Sequence, residues 1–387
     1  MFLSANLIHD GIAFLPQGSA ISINDEGDVL ELLEYSPEGT IIHDGILAPG
    51  FVNAHCHIEL SHMKGSIAEH TGLIAFLKNV SLCRNNYSEI QKETARTNAY
   101  NELINNGIVA VGDISNSTET LGVRALDKLH FHTFIEALGF SEHGAATSFN
   151  YALKTYNAFC DQPQSHKLLK QSITPHAPYS VSSHLFRTID AFDTQSLLSI
   201  HNQETEEEGR YYKLKEGGIR DLFSALGIDD TYFRPTGQSS IRSFMHWLQA
   251  KRKYIFVHNT FTEREDIQHI KDLGVDAFWC LCPNANLYIE NRLPDVNMFL
   301  QENISICVGT DSLASNKKLC ILSELSTLKN HFPSLSWETL LRFGTYNGAL
   351  ALQMQDVAGR IEVGKRPGIN LITGLEATGN PKVTKII

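Results

Sequence analysis

The sequence predicts an α/β protein whose main unit is a (β/α)8, TIM-type barrel, with a small β-sandwich built from both chain termini. Eight short runs rich in β-branched or aromatic residues alternate with longer stretches of helical spacing, which is typical of parallel strands joined by helices. No GxGxxG motif follows the first run, and this disfavours a dinucleotide-binding sheet. Both ends of the chain carry short strand-like runs between Gly and Pro turns, so we assign them to the sandwich.

The predicted elements divide the chain into three parts. Residues 1–45 and 355–387 are the N-terminal and C-terminal parts of the sandwich, and residues 46–354 are the barrel. The predicted barrel strands are 46–55, 108–114, 131–138, 171–177, 196–202, 254–259, 275–282 and 304–311. The predicted helices between them include 88–107, 181–192, 262–274 and 317–332. Gly107 and Gly274 close two of these helices, as glycine commonly does at a helix C-terminus.

The charge balance bears on the kind of partner. The chain has 32 Lys and Arg against 43 Asp and Glu, a formal net charge of −11. Nucleic-acid-binding proteins and proteins held on anionic lipid use basic patches, so this balance disfavours both and leaves a small-molecule substrate. No apolar run reaches the roughly 18 residues that suggest a transmembrane helix, so we expect no membrane span. A homodimer is a candidate assembly, since barrels of this kind are commonly dimers, but the sequence shows no interface.

The cysteines bear on the compartment. There are seven, an odd number, and the first residues, MFLSANLIHDG, lack the cationic stretch before an apolar one that a secretory signal has. We therefore expect unpaired thiols and a cytoplasmic protein. Cys280 and Cys282 form a CxC pair, but no second pair lies at zinc-finger spacing, so we interpret both as buried small hydrophobic residues.

Four side chains at predicted strand ends indicate one metal ion. His55 and His57 end the first strand, and residues two apart on a strand point to one face, so both imidazoles can reach one ion. His201 ends the fifth strand and Asp311 the eighth, and in a barrel these ends converge on one mouth. Three imidazoles and a carboxylate suit Zn²⁺, with Fe²⁺ as the alternative. No Lys ends the third or fourth strand to bridge two metals, so we expect one ion per chain.

Other polar residues at the same mouth are candidates for proton transfer and substrate binding. Glu204 follows His201 by three residues, and a carboxylate beside a metal is typical of a proton shuttle. We expect Asp311 to accept a proton as well as to bind the ion. His258 ends the sixth strand and is expected to hold the attacking hydroxide or to polarise the substrate. His176, at the end of the fourth strand, is expected to contact the substrate.

Two further polar segments follow the first and fifth predicted strands. We interpret the acidic run 206–208 as a solvated helix start that lies outside the site. Glu59 and His62, in HIELSH after the first strand, are candidate substrate-binding residues. The alternative interpretation, that both are ordinary loop residues, stays open.

Several short motifs together resemble the amidohydrolase superfamily, and in particular its cytosine deaminase-like and adenosine/S-adenosylhomocysteine deaminase-like branch. The motifs are LAPGFVNAHCH, TPHAPYS, HNQE, FVHNT, CPNANLYI and VGTDSLASN. Their order and spacing along the chain are specific, although each motif alone is weak. The metal ligands that the resemblance implies are His55, His57, His201 and Asp311. It further implies that Glu204 is the proton shuttle, His258 the second catalytic group and His176 a substrate contact.

The sequence departs from the superfamily at the expected pocket mouth. Ser312 follows the metal-binding Asp311 where many deaminases have Gly, and the stretch 289–296 replaces a run of small residues. This second departure brings Asn291 and Arg292 toward the expected pocket, where the guanidinium fork can bind a carboxylate or phosphate of the substrate. The alternative interpretation of Arg292 is a surface loop residue.

The resemblance implies a hydrolase of C–N bonds other than peptide bonds. The leading hypothesis is hydrolytic deamination of an amino-substituted heterocycle or nucleoside by metal-bound hydroxide, with a purine-like or aminodeoxyfutalosine-type substrate. A second hypothesis is hydrolysis of a cyclic amide or imide, or hydrolytic dehalogenation, at the same site. A third, a catalytically idle scaffold protein, is disfavoured because such proteins usually lose metal ligands, and all four ligands and Glu204 are present here.

Overall fold

The computed structural model describes residues 1–375 and 380–387. Its strands are β1 (Phe2–Ile8), β2 (Ala20–Ile23), β3 (Val29–Leu33), β4 (Ile41–Pro49), β5 (Phe51–His57), β6 (Ile108–Ser115), β7 (His130–Ala137), β8 (Leu169–Pro175), β9 (Leu198–Asn202), β10 (Lys253–His258), β11 (Asp276–Leu281), β12 (Ser305–Val308), β13 (Asp311–Ser312), β14 (Ile369–Thr373) and β15 (Lys382–Lys385). Its α-helices are α1 (Leu73–Cys83), α2 (Glu89–Asn105), α3 (Leu121–Arg124), α4 (Ala145–Cys160), α5 (Ser183–Phe192), α6 (Glu206–Leu214), α7 (Gly218–Leu226), α8 (Ser240–Phe244), α9 (Arg264–Asp272), α10 (Pro283–Glu290), α11 (Val296–Gln301), α12 (Ile321–His331), α13 (Trp337–Arg342) and α14 (Gly348–Ala351). Within these ranges, no helix is both long enough and apolar enough to cross a lipid bilayer.

The strands of the barrel are parallel and form two hydrogen-bonded sheets in the described part of the chain. One sheet has the order β12-β11-β10-β9, and the other has the order β13-β5-β6-β7-β8. Helices alternate with these strands, and each predicted strand run overlaps an observed strand. The predicted α/β class and barrel architecture are therefore confirmed.

The two sheets meet on both sides of the barrel. Gly309 N donates a hydrogen bond to a carbonyl at the end of β11, and Thr310 N donates to His55 O at 3.0 Å, so the segment between β12 and β13 joins one sheet to the other. On the opposite side, His201 N donates to His176 O at 3.0 Å and joins β9 to the segment after β8. The carboxyl ends of the strands consequently surround one mouth.

The helices cover the outside of the barrel, because the strands of a parallel sheet are buried on both faces. Strands β5 and β7 are buried along their whole length. The prediction for residues 88–107 corresponds to α2, which presents Tyr100 and Leu103 to the core. Ser88 begins this helix in a capping box with Gln91, which satisfies backbone N–H groups of the first turn.

Both chain ends contribute to one smaller sheet. In the described residues it has six strands in the order β15-β14-β4-β1-β2-β3. Strand β4 pairs in parallel with β1 from the N-terminal segment and antiparallel with β14 from the C-terminal segment. Leu3, Ile21, Leu47 and Ile369 form part of its buried core. A β-rich unit built from both termini is thus present, as one mixed sheet.

The predicted strand 46–55 is divided in the structure between two sheets. Residues up to Pro49 belong to β4 of the smaller sheet, and those after Gly50 belong to β5 of the barrel. A Cβ atom at Gly50 would lie 2.7 Å from Pro367 O, so the chain passes from sheet to sheet where a larger residue does not fit. Because the end of β4 and the start of β5 are buried and apolar, the sequence pattern runs through the change without a break. The smaller sheet therefore extends past the predicted boundary at residue 45.

Gly309→Ala is expected to destabilise the barrel next to His55. A Cβ atom at Gly309 would lie 2.6 Å from His55 O and 2.8 Å from His55 Cβ, so β5 must move to accept it. We expect the free energy of unfolding to fall by about 1–3 kcal/mol, as in other overpacked cores. Denaturant unfolding measures the loss. Gly122→Ala is the matched control, because no atom lies within 4 Å of its Cβ position; equal midpoints for the two variants would contradict the prediction.

Candidate metal centre

Three imidazoles and a carboxylate meet at the mouth of the barrel. His55 and His57 lie at the end of β5, His201 near the end of β9 and Asp311 at the start of β13. His57 Nε2 lies 3.2 Å from His55 Nε2 and 3.3 Å from His201 Nε2. Asp311 Oδ1 lies 3.4 Å from His57 Nε2 and 3.7 Å from His55 Nε2. None of the four residues is more than 7% exposed.

Hydrogen bonds orient two members of this cluster toward its centre. His201 Nδ1 lies 2.9 Å from His176 O, and because a carbonyl only accepts, Nδ1 carries the proton. The lone pair of His201 Nε2 is then directed at the other imidazoles. Ser315 Oγ donates to Asp311 Oδ2, which leaves Oδ1 facing the histidines.

Burial and nearby charges set the ionisation of the cluster. Burial lowers the pKa of His55 to about 4 and the pKa of His57 to about 3. Burial also acts to lower the pKa of His201, but the charge of the nearby Glu136 carboxylate raises it to about 9, so this imidazole must release a proton when it binds a metal ion. For Asp311, burial acts to raise the pKa, but the nearby imidazoles of His55 and His57 hold it well below its usual range. The cluster therefore combines nitrogen donors with negative charge.

This donor set fits a divalent metal ion. The ligand atoms of His55, His57 and His201 lie within 4.8 Å of one another, and so do those of His55, His258 and Asp311. Unprotonated nitrogens at these separations repel one another unless a cation lies between them. Imidazole nitrogens and carboxylate oxygens are ligands that zinc uses in catalytic sites, which keep a position open for water. The cluster is a candidate His/Asp metal site.

Glu204 and His258 lie beside the cluster. His258 Nε2 is 3.7 Å from Glu204 Oε1. His258 Nδ1 lies 2.8 Å from Asn286 Oδ1, an acceptor, so the proton resides on Nδ1 and Nε2 presents a lone pair. Burial raises the pKa of Glu204 to about 8 and lowers the pKa of His258 to about 4. A carboxyl group that holds a proton near neutral pH thus lies next to an unprotonated imidazole.

A cavity of about 1330 Å³ opens onto these groups. This volume exceeds the roughly 300–1,000 Å³ of typical small-molecule pockets. The polar groups at its base are His57, His201, Glu204, His258 and Asp311. An apolar wall consists of Leu73, Phe76, Leu77 and Val80 from α1 and Leu222, Phe223 and Leu226 from α7. The bottom of the cavity therefore carries the polar, titratable groups, and its wall is suited to an apolar substituent.

His176 and Glu59 line the same cavity, as predicted substrate contacts should. His176 Nδ1 lies 2.6 Å from Ser180 Oγ, and its ring centroid lies 4.9 Å from that of His201. Glu59 is 2% exposed and accepts hydrogen bonds from Asn116 N at 3.0 Å and Asn116 Nδ2 at 3.1 Å. Both residues face the space that a substrate would occupy, and their contact with it stays a prediction.

Asn291 and Arg292 lie outside the cavity wall, so the predicted approach of the stretch 289–296 to the pocket is not observed. Asn291 is exposed and ends α10 in the left-handed conformation, with φ 50°. Arg292 is also exposed, and its guanidinium lies 4.4 Å from the ring centroid of Phe261 in a cation–π contact. The guanidinium of Arg292, which was expected to bind substrate, therefore contacts the ring of Phe261 instead. This geometry matches the alternative interpretation of Arg292 as a surface residue.

His62 also lies outside the cavity wall. Its Nδ1 atom is 3.1 Å from Glu59 O, and its Nε2 atom is 3.0 Å from Arg84 O. Both ring nitrogens therefore contact backbone carbonyls of the loop and of the end of α1. This geometry matches the alternative interpretation of His62 as a loop residue.

Glu136 is a buried acidic residue of the site that was absent from the predicted set. It lies near the end of β7, is 4% exposed, and places Oε1 3.2 Å from His201 Nδ1. Asn116 Nδ2 donates to its Oε2 at 3.1 Å. Burial acts to raise the pKa of Glu136, but the charges of His176 and His201 hold it below its usual range. A lone acidic residue near the end of the third barrel strand, in FHTFIEAL, was the available signal.

Glu208 is fully buried, which corrects the interpretation of 206–208 as a solvated helix start. Helix α6 begins at Glu206, which is exposed, whereas Glu208 is 0% exposed because it lies on the inner face of the first turn. Glu208 Oε1 accepts hydrogen bonds from Gln203 N at 3.0 Å and from Ser240 Oγ. Burial raises the pKa of its carboxyl group to about 8.

Comparison with known proteins finds relatives of similar length. A protein named adenosine deaminase from Helicobacter pylori (strain ATCC 700392 / 26695) is 28% identical over 340 residues, which cover 85% of this chain and 79% of that protein. The crystal structure of Helicobacter pylori aminofutalosine deaminase in complex with methylthio-coformycin matches with a TM-score of 0.79 at 23% identity, over 100% of both chains. A zinc-bound adenosine deaminase from Xanthomonas campestris matches with a TM-score of 0.75 at 22% identity, over 97% of this chain and 85% of that one. These two structures share the fold.

A family model matches most of the chain. The model, described as amidohydrolase family, covers residues 46–386. The match begins within β4, contains the whole barrel, and ends just after β15. The superfamily that the motifs resemble is therefore confirmed, and the chain belongs to the amidohydrolase family of hydrolases.

Proposed function

We propose that the protein hydrolytically deaminates an amino-substituted, purine-like nucleoside, with one Zn²⁺ per chain. The observation that carries the proposal is the convergence of three imidazoles and Asp311 beside Glu204 and His258, at the base of a cavity. The relatives add support, because the two adenosine deaminases and the aminofutalosine deaminase are named for reactions that release ammonia from a nucleoside.

The residues that would hold the ion are His55, His57, His201 and Asp311. Zn²⁺ at such a site is a Lewis acid that makes water acidic enough to act as a nucleophile near neutral pH. Burial keeps His55 and His57 unprotonated, as ligands must be. Glu136 and His176 O lie at the Nδ1 side of His201 and hold its ring with Nε2 directed at the cluster.

Glu204 and His258 have different roles in the reaction: His258 orients the water and Glu204 transfers the proton. His258 Nε2 presents a lone pair toward the base of the cavity and accepts a hydrogen bond from the attacking water. Glu204 gives its proton to the ring nitrogen beside the carbon that is attacked, and takes one proton from this water in return. The other proton of the same water is transferred to the amino group, which leaves as ammonia, while the former water oxygen stays on the ring carbon and the ring nitrogen keeps its proton. The net reaction consumes one water and converts a C–NH₂ group into a C=O group.

The cavity favours a substrate larger than a free base. Its apolar wall from α1 and α7 lies beyond the reactive groups and suits an apolar substituent on a nucleoside. Glu59 and Asn116 add carboxylate and amide groups, which hydrogen-bond to hydroxyl groups of a sugar. The homodimer and the cytoplasmic location expected from the sequence stay predictions.

An ammonia-release assay with zinc-loaded protein tests the function. We expect adenosine and 5′-methylthioadenosine to be deaminated, and guanine and cytidine to be deaminated at least about tenfold more slowly, since pocket contacts commonly separate substrates by this much. Hydantoin and a chloro-triazine are the comparison substrates for imide hydrolysis and dehalogenation. Ring opening of hydantoin or chloride release, without ammonia from any nucleoside, would overturn the proposal.

A further inference from the structure

The loop that carries Glu204 has an unfavourable backbone conformation. Glu204 lies between the end of β9 and the start of α6, directly after Gln203. Gln203 has φ 48°, in the left-handed region that residues other than glycine rarely adopt. A conformation of this kind persists only where surrounding contacts hold it. The direction of the Glu204 side chain therefore depends on whatever holds Gln203.

Glu208 holds the backbone of Gln203. Its Oε1 atom accepts the Gln203 N–H at 3.0 Å, in an environment where Glu208 has no exposed surface. Ser240 Oγ donates to the same oxygen from α8. A backbone N–H buried without an acceptor is costly, so removal of this oxygen leaves the Gln203 N–H of the left-handed turn unpaired. Glu208 itself does not line the cavity.

The side chain of Gln203 connects this turn to the loop after His258. Gln203 Nε2 donates to Asp266 Oδ2 at 2.8 Å, and Thr262 Oγ1 donates to Gln203 Oε1 at 2.6 Å. Thr262 lies in the segment between His258 and α9, and Asp266 lies in the first turn of α9. Gln203 is only 5% exposed, so these bonds are shielded from water. One buried network thus spans the two loops that bear Glu204 and His258.

We propose that Glu208 is a positioning residue for Glu204. Its carboxyl oxygen fixes the left-handed turn at Gln203, directs Glu204 into the cavity, and keeps the Glu204 loop in register with the loop of His258. The inference rests on the proposed function, because the direction of Glu204 matters only if this residue transfers a proton.

Glu208→Met tests the proposal, since methionine has a similar length but no comparable acceptor. We expect kcat for nucleoside deamination to fall by about 10–100-fold, as for other residues that orient catalytic groups, with KM and zinc content close to wild type. Glu208→Gln keeps an acceptor oxygen at the same reach and is expected to restore most of kcat. Glu208→Asp keeps the carboxyl group but is one methylene shorter, and we expect a loss similar to that of Glu208→Met. It serves as the measurement if Glu208→Met does not fold.

Two matched controls distinguish a loss of Glu204 positioning from a general disturbance of the fold. Ser240→Ala removes the other hydrogen bond to Glu208 but leaves the acceptor for Gln203 N, and Glu206→Ala changes the exposed glutamate of the same helical turn. Both are expected to keep kcat within about twofold of wild type. Unchanged kcat in Glu208→Asp and in folded Glu208→Met, or a loss that follows zinc content, would refute the positioning role alone. Wild-type protein that releases no ammonia from any nucleoside would refute the proposed function, and the inference with it.

Discussion

Glu204→Gln is expected to lower kcat for nucleoside deamination by about 10²–10⁴-fold, the usual contribution of a general acid–base group. Glutamine has the shape of glutamate but neither takes up nor releases a proton at neutral pH. Burial raises the pKa of Glu204 to about 8, which suits a group that must do both. Because Glu204 is not among the clustered ligand atoms, zinc content should stay at the wild-type level.

Steady-state ammonia release and metal analysis of the same preparation check this prediction. Glu206→Gln is the matched control, since Glu206 is an exposed glutamate two residues away. We expect this control to keep wild-type kcat and zinc content. A Glu204→Gln protein with full activity would remove the proposed proton shuttle, and one without zinc would assign Glu204 to metal binding instead.

Removal of one imidazole is the second change with a large expected effect. His201→Ala should reduce zinc content well below one equivalent and lower kcat by more than about 100-fold, which exceeds the usual cost of changing an outer residue. The variant loses one nitrogen ligand and leaves the buried carboxylates of Glu136 and Asp311 without the imidazole that lay between them.

Metal analysis and thermal unfolding with and without added ZnCl₂ measure this effect. A ligand that binds only the folded state raises the unfolding temperature, so zinc should stabilise the metal-stripped wild type and have little effect on His201→Ala. His184→Ala is the control, because His184 is exposed on α5. Wild-type zinc content in His201→Ala would show that His201 is not a ligand.

The sequence predicts the barrel strands and most of the metal cluster because the relevant signals are local. A histidine at the end of a parallel strand has a defined direction, and the barrel brings such ends together. His55, His57, His201 and Asp311 follow this rule, and the structure places their ligand atoms within a few ångströms of one another. Glu204 is found in the same way, from its distance of three residues to His201.

The errors concern side chains whose surroundings come from distant segments. Arg292 points to Phe261 rather than to the cavity, and no spacing within 289–296 indicates that ring. Glu208 looks like part of an acidic helix start, yet Ser240 from another helix and the turn at Gln203 bury it. Glu136 was detectable, since one acidic residue in an apolar strand is costly unless it serves a partner.

The connection at Gly50 links the position of the smaller sheet to that of the metal-binding cluster at the mouth of the barrel. A single residue separates the smaller sheet from the strand that bears His55 and His57, and both flanking strands are hydrogen-bonded within their own sheets. Because protein interiors are close-packed, a one-residue connection leaves little room for one sheet to move relative to the other. The terminal sheet is therefore joined directly to the strand that carries two of the proposed zinc ligands, and we expect a displacement of β4 to displace His55 and His57 as well.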